Sequence, residues 1–300
     1  MTVRGKRQPA ATSSSTTVGW LISNAVRALT GASDSPLLDA QLLLAYVIGA
    51  PRSSIIAFPE RPVRAALADE FDRLLERRRR GEPLAYLVRS QEFYSLPLRV
   101  TQAVLIPRPE TELLVDAALE LLPRGEPRAV LDVGTGSGAI ALAIKHERPA
   151  ASVTALDVSA AALAVARANA ERLGIDVRFV ESNWFTAVED RCQTPRVSDT
   201  GFDVIVCNPP YVQSDDRAFA ALEYEPRLAL DGGADGLDAL RAVLAGAAGH
   251  LNAGGRLLLE HGHDQRAALV ELAQSAGWCP AVQRDDLAGR ARVLELEANA

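Results

Sequence analysis

Apolar residues recur with helical spacing in three blocks between residues 18 and 80. The first, "VGWLISNAVRALTGA", stops at Gly31. The second, "SPLLDAQLLLAYVIGAP", opens with Ser35 as N-cap and Pro36 at the first helical position, and ends at Gly49 and Pro51. The third, "RPVRAALADEFDRLLERRRRGEP", has Pro62 early and Gly81 after its end. Residues 91–106, "QEFYSLPLRVTQAVLI", switch to alternation rich in β-formers and read as a hairpin linking two modules. From about residue 107 strands and helices take turns. "RAVLDVG" reads as a strand and "SGAIALAIKHERP" as a helix; "ASVTALDV" and "SAAALAVARANAERLG" repeat the pair. A short strand "VRFV", a loop with Pro195 and Gly201, and the strand "FDVIVC" follow. A glycine-rich loop, helix 237–251, strand "GRLLLEH", helix 264–276 and a closing strand "ARVLELE" complete the series. Such alternation predicts an α/β fold, a Rossmann-like, doubly wound, mostly parallel sheet covered on both faces, preceded by a small helical domain. The expected divisions are a disordered tail 1–17, a helical recognition domain 18–90, a hairpin linker 91–106 and an α/β domain 107–300.

Composition narrows the class. The chain has 300 residues, 48% hydrophobic and 23% charged, enough apolar material for a core. No apolar run approaches the roughly 20 residues that span a membrane, and the basic, Ser/Thr-rich start lacks the apolar core of a signal peptide. Three separated cysteines, Cys192, Cys207 and Cys279, fit a reducing cytoplasm better than a disulfide framework. His261 and His263 have no Cys or His cluster around them, so an ordinary turn is expected there and no metal. Net charge is −6 but uneven: residues 1–90 carry 13 Lys/Arg against 8 Asp/Glu, and the remainder 19 against 30. The asymmetry suggests a basic recognition module on an acidic body. Arg77 to Arg80 fall in a last helical turn, where cations suit the helix dipole; a solvated helix end or a partner-binding patch would both place them there.

Candidate chemistry lies at strand ends. "VLDVGTGSGAIALA" sets Gly134, Thr135, Gly136, Ser137 and Gly138 between a strand and a helix, where glycines allow a tight turn and close backbone approach to a ligand. Asp132 precedes the loop. Asp157 ends the next strand, about 20 residues on, where an acid accepts from ribose hydroxyls; a helix N-cap is its other reading, with Ser159 competing for that role. In "ESNWF", Asn183 could meet an adenine edge and Trp184 its face, or Trp184 could close the core.

In "DVIVCNPPYVQ" a strand stops at Asn208, Pro209, Pro210 and Tyr211. The prolines lack N–H groups, so the turn is stiff and presents carbonyl oxygens without competing donors. The Asn208 side-chain oxygen, the Pro209 carbonyl and the Tyr211 ring suit a planar group bearing an NH2, an amide or an amino-substituted base. The glycine loop by itself suits a nicotinamide, flavin or other adenosine cofactor; with an NH2 held at this turn, S-adenosyl-L-methionine as methyl donor is the cofactor that gives the pair a reaction. Two acceptors would draw off positive charge as the nitrogen is alkylated.

The chain resembles the HemK/PrmC glutamine methyltransferases of class-1 peptide chain release factors over nearly its whole length after residue 18. The resemblance runs through "LLDAQLLLAYVIG", "RRRRGEPLAYLV", "EFYSLPLRVTQAVLIPRPETELLV", "LDVGTGSGAIALAI", "NWF", "NPPY", "YEPRLALDGGADGL" and "LLLEHG". "NPPY" and the glycine loop are shared with adenine- and guanine-specific nucleic-acid methyltransferases; "LIPRPETE" and "EPRLALDGGADGL" are more specific to the family. It implies a class I S-adenosylmethionine-dependent domain that methylates the glutamine nitrogen of the release factor GGQ motif. It further implies that Gly134 to Gly138 and Asp157 hold the cofactor, that Asn208 to Tyr211 hold the amide, that Phe93 and Arg108 lie near the cofactor pocket, and that the helical domain grips the release factor. Asn183 stands where relatives often carry aspartate. "DGGADGLDAL" reads as a flap near the site or as an ordinary loop. The rival is amino methylation of adenine or guanine in DNA or RNA, which the acidic body disfavours.

Overall fold

The computed structural model describes residues 16–189 and 201–299. Residues 1–15, most of the expected tail, and Cys192 and Pro195 lie outside them. The chain divides into two compact units, Met1–Val88 and Arg89–Ala300.

The first unit is helical: α1 (Val18–Leu29), α2 (Pro36–Ile48), α3 (Arg52–Ala57), α4 (Ala65–Arg79) and α5 (Leu84–Val88). Thr17, expected in the tail, caps α1 by accepting from the Trp20 N–H and pairs with Pro62. The third block starts three residues after Pro62, because Pro62 sits in an extended bridge rather than in the first turn. Leu21, Ala25, Leu43, Leu44, Phe71 and Leu74 form its core. The arginine run is spent inside this unit. Arg77 forks onto Glu82, Arg78 reaches Asp39 of α2 at 2.7 Å, and Arg79 and Arg80 both pair with Glu76.

The second unit opens with the hairpin β1 (Gln91–Phe93) and β2 (Leu96–Leu98), shorter than expected. Its two-residue turn puts Tyr94 and Ser95 at φ 50 and 60, without the glycine or asparagine usual there. Glu112 holds the Tyr94 N–H at 2.7 Å and Asp116 its hydroxyl at 2.8 Å, which offsets that strain. The hairpin is built into this unit's core: Phe93, Leu96 and Leu98 are buried with Leu114 and Leu142.

Then follow α6 (Glu112–Leu121), β3 (Ala129–Val133), α7 (Ala139–Glu147), β4 (Ser152–Asp157), α8 (Ala160–Leu173), β5 (Arg178–Glu181), α9 (Thr186–Glu189), β6 (Phe202–Cys207), α10 (Ala218–Ala221), α11 (Asp238–Ala247), β7 (Leu251–Glu260), α12 (Arg266–Ser275), β8 (Trp278–Asp285) and β9 (Ala291–Ala298). The seven-stranded sheet runs β5-β4-β3-β6-β7-β9-β8, parallel except where β9 pairs with β7 and β8. Alternate residues feed two cores. Val130, Val153, Val204 and Leu258 pack with α6 and α7; Leu131, Leu156, Ile205 and Leu257 pack with α11 and α12. Of these elements α6, the short α9 and α10, and β8 escape the sequence reading: half of the β8 positions are exposed and it carries Pro280, so it shows no clean alternation.

Strand register sets the site. Val133 pairs with Leu156 and with Cys207, and Cys207 with Leu259. The next residues, Asp157, Gly134, Asn208 and Glu260, therefore line the carboxyl edge in that order, with neighbouring strands about 4.8 Å apart. Open α/β sheets bind ligands at this edge.

Candidate active site

The glycine loop is fixed by β4. The Gly134 and Thr135 N–H groups both donate to the Leu156 carbonyl, at 2.9 and 2.8 Å. Gly134, Gly136 and Gly138 have φ of +77, +56 and +83, the left-handed region that glycine tolerates best. A Cβ at Gly134 or Gly136 would meet nothing within 4 Å, so the loop is open where a ligand would approach. At Gly138 a Cβ would lie 3.1 Å from Leu142 and 3.2 Å from Ala166; the third glycine serves helix packing.

Asp157 accepts from the Gly136 N–H at 2.8 Å through one oxygen and from the Ser159 N–H at 2.8 Å through the other. Ser159 takes the N-cap itself, accepting from Ala162. Asp157 is thus not the cap. Each of its oxygens keeps a lone pair for a ribose hydroxyl. Burial raises its carboxyl above the usual range, and the two N–H donors oppose that. Asp132 is fully buried and accepts from Thr135 Oγ1 (2.6 Å) and the Ala141 N–H (3.2 Å), while Oδ1 has no partner. Burial pushes it up to about 7. Beyond β5, Asn183 is exposed, and Trp184, at φ 51, packs partly buried against the core of the α11 face. The open loop, the Asp157 carboxylate and exposed Asn183 share one edge and fit an adenosine cofactor.

The expected site residues do not all converge. Phe93 is 1% exposed and shares the core of the α6 face, so its ring has no free side for a ligand. Its segment reaches the loop through the backbone instead: buried Asn169 accepts from the Arg99 N–H and donates to the Arg99 and Ser137 carbonyls. Arg108 pairs with the buried Glu225, which also accepts from the Ile106 N–H at 3.0 Å. This ties "LIPRPETE" to "EPRLAL" directly.

At the end of β6, Asn208 Nδ2 donates to Thr111 Oγ1 at 3.2 Å. No hydrogen bond from a described residue reaches Asn208 Oδ1 or the Pro209 carbonyl. The Tyr211 hydroxyl donates to Glu260 at 3.3 Å. Burial and the neighbouring Glu260 raise the Tyr211 hydroxyl well above its ordinary value, so it stays protonated. Glu260 is itself buried and pushed up to about 7, with the Thr111 and Tyr211 hydroxyls and Arg292 favouring its charge.

The stretch "DGGADGL" packs on this turn. Val212 N–H donates to Leu230 and Gly232 N–H to Val212, at 2.9 and 2.8 Å. A Cβ at Gly232 would stand 2.8 Å from the Pro210 carbonyl oxygen, and one at Gly236 would stand 2.6 Å from that of Tyr211. Gln265 donates to the Tyr211 and Gly236 carbonyls, at 3.0 and 3.1 Å. The glycines are there so that backbone can lie on backbone.

Comparison with known proteins places this arrangement. Residues 21–88 match the PrmC N-terminal domain, and residues 110–224 the methyltransferase small domain. The release factor glutamine methyltransferase of Coxiella burnetii is 41% identical over 272 residues, covering 90% of this chain and 95% of that one. That of Burkholderia pseudomallei is 45% identical over 264 residues, 85% of this chain and 90% of that one. The chain belongs to the release factor glutamine methyltransferase family. Among solved structures, the release factor-specific protein-(glutamine-N5) methyltransferase of Alicyclobacillus acidocaldarius aligns over 65% of this chain and 95% of that one, at 30% identity and a TM-score of 0.40.

Within the family's fold, Thr111, Glu225, Glu260 and Gln265 stand out as residues the sequence reading passed over. Glu260 had a signal: an acid closing the apolar run "RLLLEH" at the edge where ligands bind. Thr111 and Glu225 had only their presence in the two quoted segments, because their partners lie 97 and 117–119 positions away.

Proposed function

We propose that the chain methylates the side-chain nitrogen of the glutamine in the GGQ motif of class-1 peptide chain release factors, with S-adenosyl-L-methionine as donor. The observation that carries this is the orientation of Asn208. Its NH2 is engaged by Thr111, which leaves Oδ1 and the neighbouring Pro209 carbonyl as paired acceptors. A primary amide fills both with its two N–H bonds. The cofactor supplies an electrophilic sulfonium methyl. The Gly134–Gly138 loop, Asp157 and Asn183 are the residues that would hold it.

An amide nitrogen is a weak nucleophile because its lone pair is delocalised. The two acceptors favour the pyramidal, positively charged nitrogen that develops during attack, and they do so without reorganising. The nitrogen then gives up one proton to water. The Tyr211 ring, its hydroxyl tethered to Glu260, forms a wall of fixed position.

The basic surplus in the first 90 residues suits a recognition role for the helical domain. No described helix is long and apolar enough to cross a membrane, and the reading places the chain in the cytoplasm with its translation-factor substrate. The acidic body argues against a nucleic-acid substrate.

Labelled S-adenosyl-L-methionine tests the proposal with a release factor, its GGQ Gln→Ala variant, DNA and RNA. Label is expected on the wild-type release factor alone; equal label on the Gln→Ala variant would sink it. Asn208→Ala is expected to keep cofactor affinity within about threefold and to lose about 10²-fold or more in kcat.

A further inference from the structure

The connection from β7 to α12 grips Tyr211 at two places. Glu260, the last residue of β7, accepts from the Tyr211 hydroxyl at 3.3 Å. Gln265, five residues on, donates to the Tyr211 backbone carbonyl at 3.0 Å. Gln265 is 8% exposed, and its side-chain amide makes three hydrogen bonds to backbone. Nε2 gives one hydrogen to the Tyr211 carbonyl and the other to the Gly236 carbonyl, at 3.0 and 3.1 Å. Oε1 accepts from the Gly262 N–H at 2.9 Å. The amide therefore has one orientation: turned over, its oxygen would face two carbonyls and its NH2 an N–H. One side chain joins three segments: the substrate turn, the glycine-rich stretch 231–237 and the β7–α12 connection. Two glycines make room for it. A Cβ at Gly236 would stand 2.7 Å from Gln265 Nε2, and one at Gly262 would stand 2.9 Å from Gln265 Oε1. Gln265 is also the N-cap residue of α12, but capping does not explain these contacts. A capping side chain accepts from its own helix, and the Gln265 side chain makes no such bond.

We infer that Gln265 is a positioning residue for methyl transfer: by holding the Tyr211 and Gly236 carbonyls on one NH2 group, it sets the place of the substrate turn. The turn transmits that placement. Pro209 and Pro210 each have φ locked by the ring, so little torsional freedom separates the Tyr211 carbonyl from the Pro209 carbonyl and Asn208. A shift at Tyr211 carries back to both acceptors. One amide contributes little to the affinity for a whole protein substrate, whereas its placement before the methyl donor sets the rate. Loss of the Gln265 hydrogen bonds should therefore show in kcat and not in KM.

The inference rests on Asn208 and Pro209 holding the glutamine amide. Its test uses the full chain with a release factor and S-adenosyl-L-methionine, comparing wild type, Gln265→Met, Gln265→Glu, Gly262→Ala and the double variant Gly262→Ala/Gln265→Met. Rates are expressed per cofactor site titrated by calorimetry, so a misfolded fraction is not read as lost kcat. Gln265→Met keeps the length and removes all three hydrogen bonds. It is expected to lower kcat about 10- to 100-fold, with KM for the release factor and cofactor affinity within about threefold. Gln265→Glu keeps the acceptor for Gly262 and removes both donors, so it should be at least as slow. Gly262→Ala pushes on the amide without touching the turn, and should lower kcat about three- to tenfold. In the Gln265→Met background the side chain is no longer tethered, and the same alanine should change kcat by less than about twofold. Wild-type kcat in Gln265→Met or Gln265→Glu would overturn the inference. So would a loss that appears in KM or cofactor affinity instead of kcat, or a Gly262→Ala effect of equal size in both backgrounds. Failure of the underlying reading is separately visible, as wild-type enzyme labelling a Gln→Ala release factor.

Discussion

Gly236→Ala probes whether the glycine-rich stretch 231–237 sets the proposed substrate turn. Gly236 has φ +75, and a Cβ there would stand 2.6 Å from the Tyr211 carbonyl oxygen and 2.7 Å from Gln265 Nε2. Two costs add. Holding a residue with a side chain in the left-handed region costs about 1 kcal/mol. Relieving the overlap means moving backbone, because Gln265 ties both carbonyls together, and such overpacking costs about 1–3 kcal/mol. Gly174→Ala is the control: φ is +66, but a Cβ there meets nothing within 4 Å, so only the first cost applies. Gly236→Ala should therefore lose about 2–4 kcal/mol and Gly174→Ala about 1 kcal/mol. Chemical denaturation followed by Trp278 fluorescence reads this, since Trp278 is buried in the same unit and donates to the Leu244 carbonyl. Turnover should separate the two further. Displacing Tyr211 by a fraction of an ångström lowers kcat about tenfold or more, while Gly174→Ala keeps wild-type kcat. Equal stability losses, or wild-type kcat in Gly236→Ala, would refute the reasoning.

Two further predictions concern buried charge. Arg78→Ala strips the 7%-exposed Asp39 of its cation and leaves it only the Ser33 hydroxyl, so thermal melting should show a loss of about 2–4 kcal/mol; Arg79→Ala, an exposed i,i+3 pair with Glu76, should leave the melting temperature unchanged. Asp132→Asn should alter the pH dependence of stability. The folded carboxyl sits at about 7, above its unfolded value, so the folded chain binds the proton more tightly and wild type gains stability as pH falls from about 7 toward 4. Denaturation midpoints at pH 5 and 8 should show that gain reduced in Asp132→Asn; an identical slope would remove Asp132 from the account.

The parts of the fold that sequence shows are those with local causes. Short, near-continuous apolar runs marked β3, β4 and β6, because both faces of these strands are buried and their residues feed two cores in turn. Gly134 to Gly138 were legible because φ above zero selects glycine whatever lies around it. Asn208, Pro209 and Pro210 were legible because proline removes donors by its own chemistry. Long-range dependence hid the rest. The resemblance put Phe93 near the cofactor pocket, and only the packing of β1 against α6 and α7 shows its ring in the core. Arg77 to Arg80 read as a solvated helix end or a partner-binding patch until Glu76, Glu82 and Asp39 are seen to meet them. Thr111 is one threonine among many until a chain crossing of 97 residues brings it to Asn208.

That division explains why the widely shared motifs and the family-specific ones differ in kind. The glycine loop and "NPPY" are the proposed contacts to cofactor and to a planar NH2, and such contacts suit a base as well as an amide. The family-specific segments hold those contacts in place. "LIPRPETE" supplies the Ile106 and Arg108 donors to Glu225 and the Thr111 acceptor to Asn208. "EPRLALDGGADGL" supplies Glu225 and the glycines that let the chain lie on Pro210 and Tyr211. "LLLEHG" supplies Glu260 beneath Tyr211. An amide nitrogen gains more from this than an aromatic amine would. Its lone pair must be withdrawn from a carbonyl before it can attack, so small errors in the two acceptors cost proportionately more rate. A buried carboxyl, a hydroxyl and two backbone-on-backbone contacts, at Gly232 and Gly236, are what that demand for fixed geometry requires.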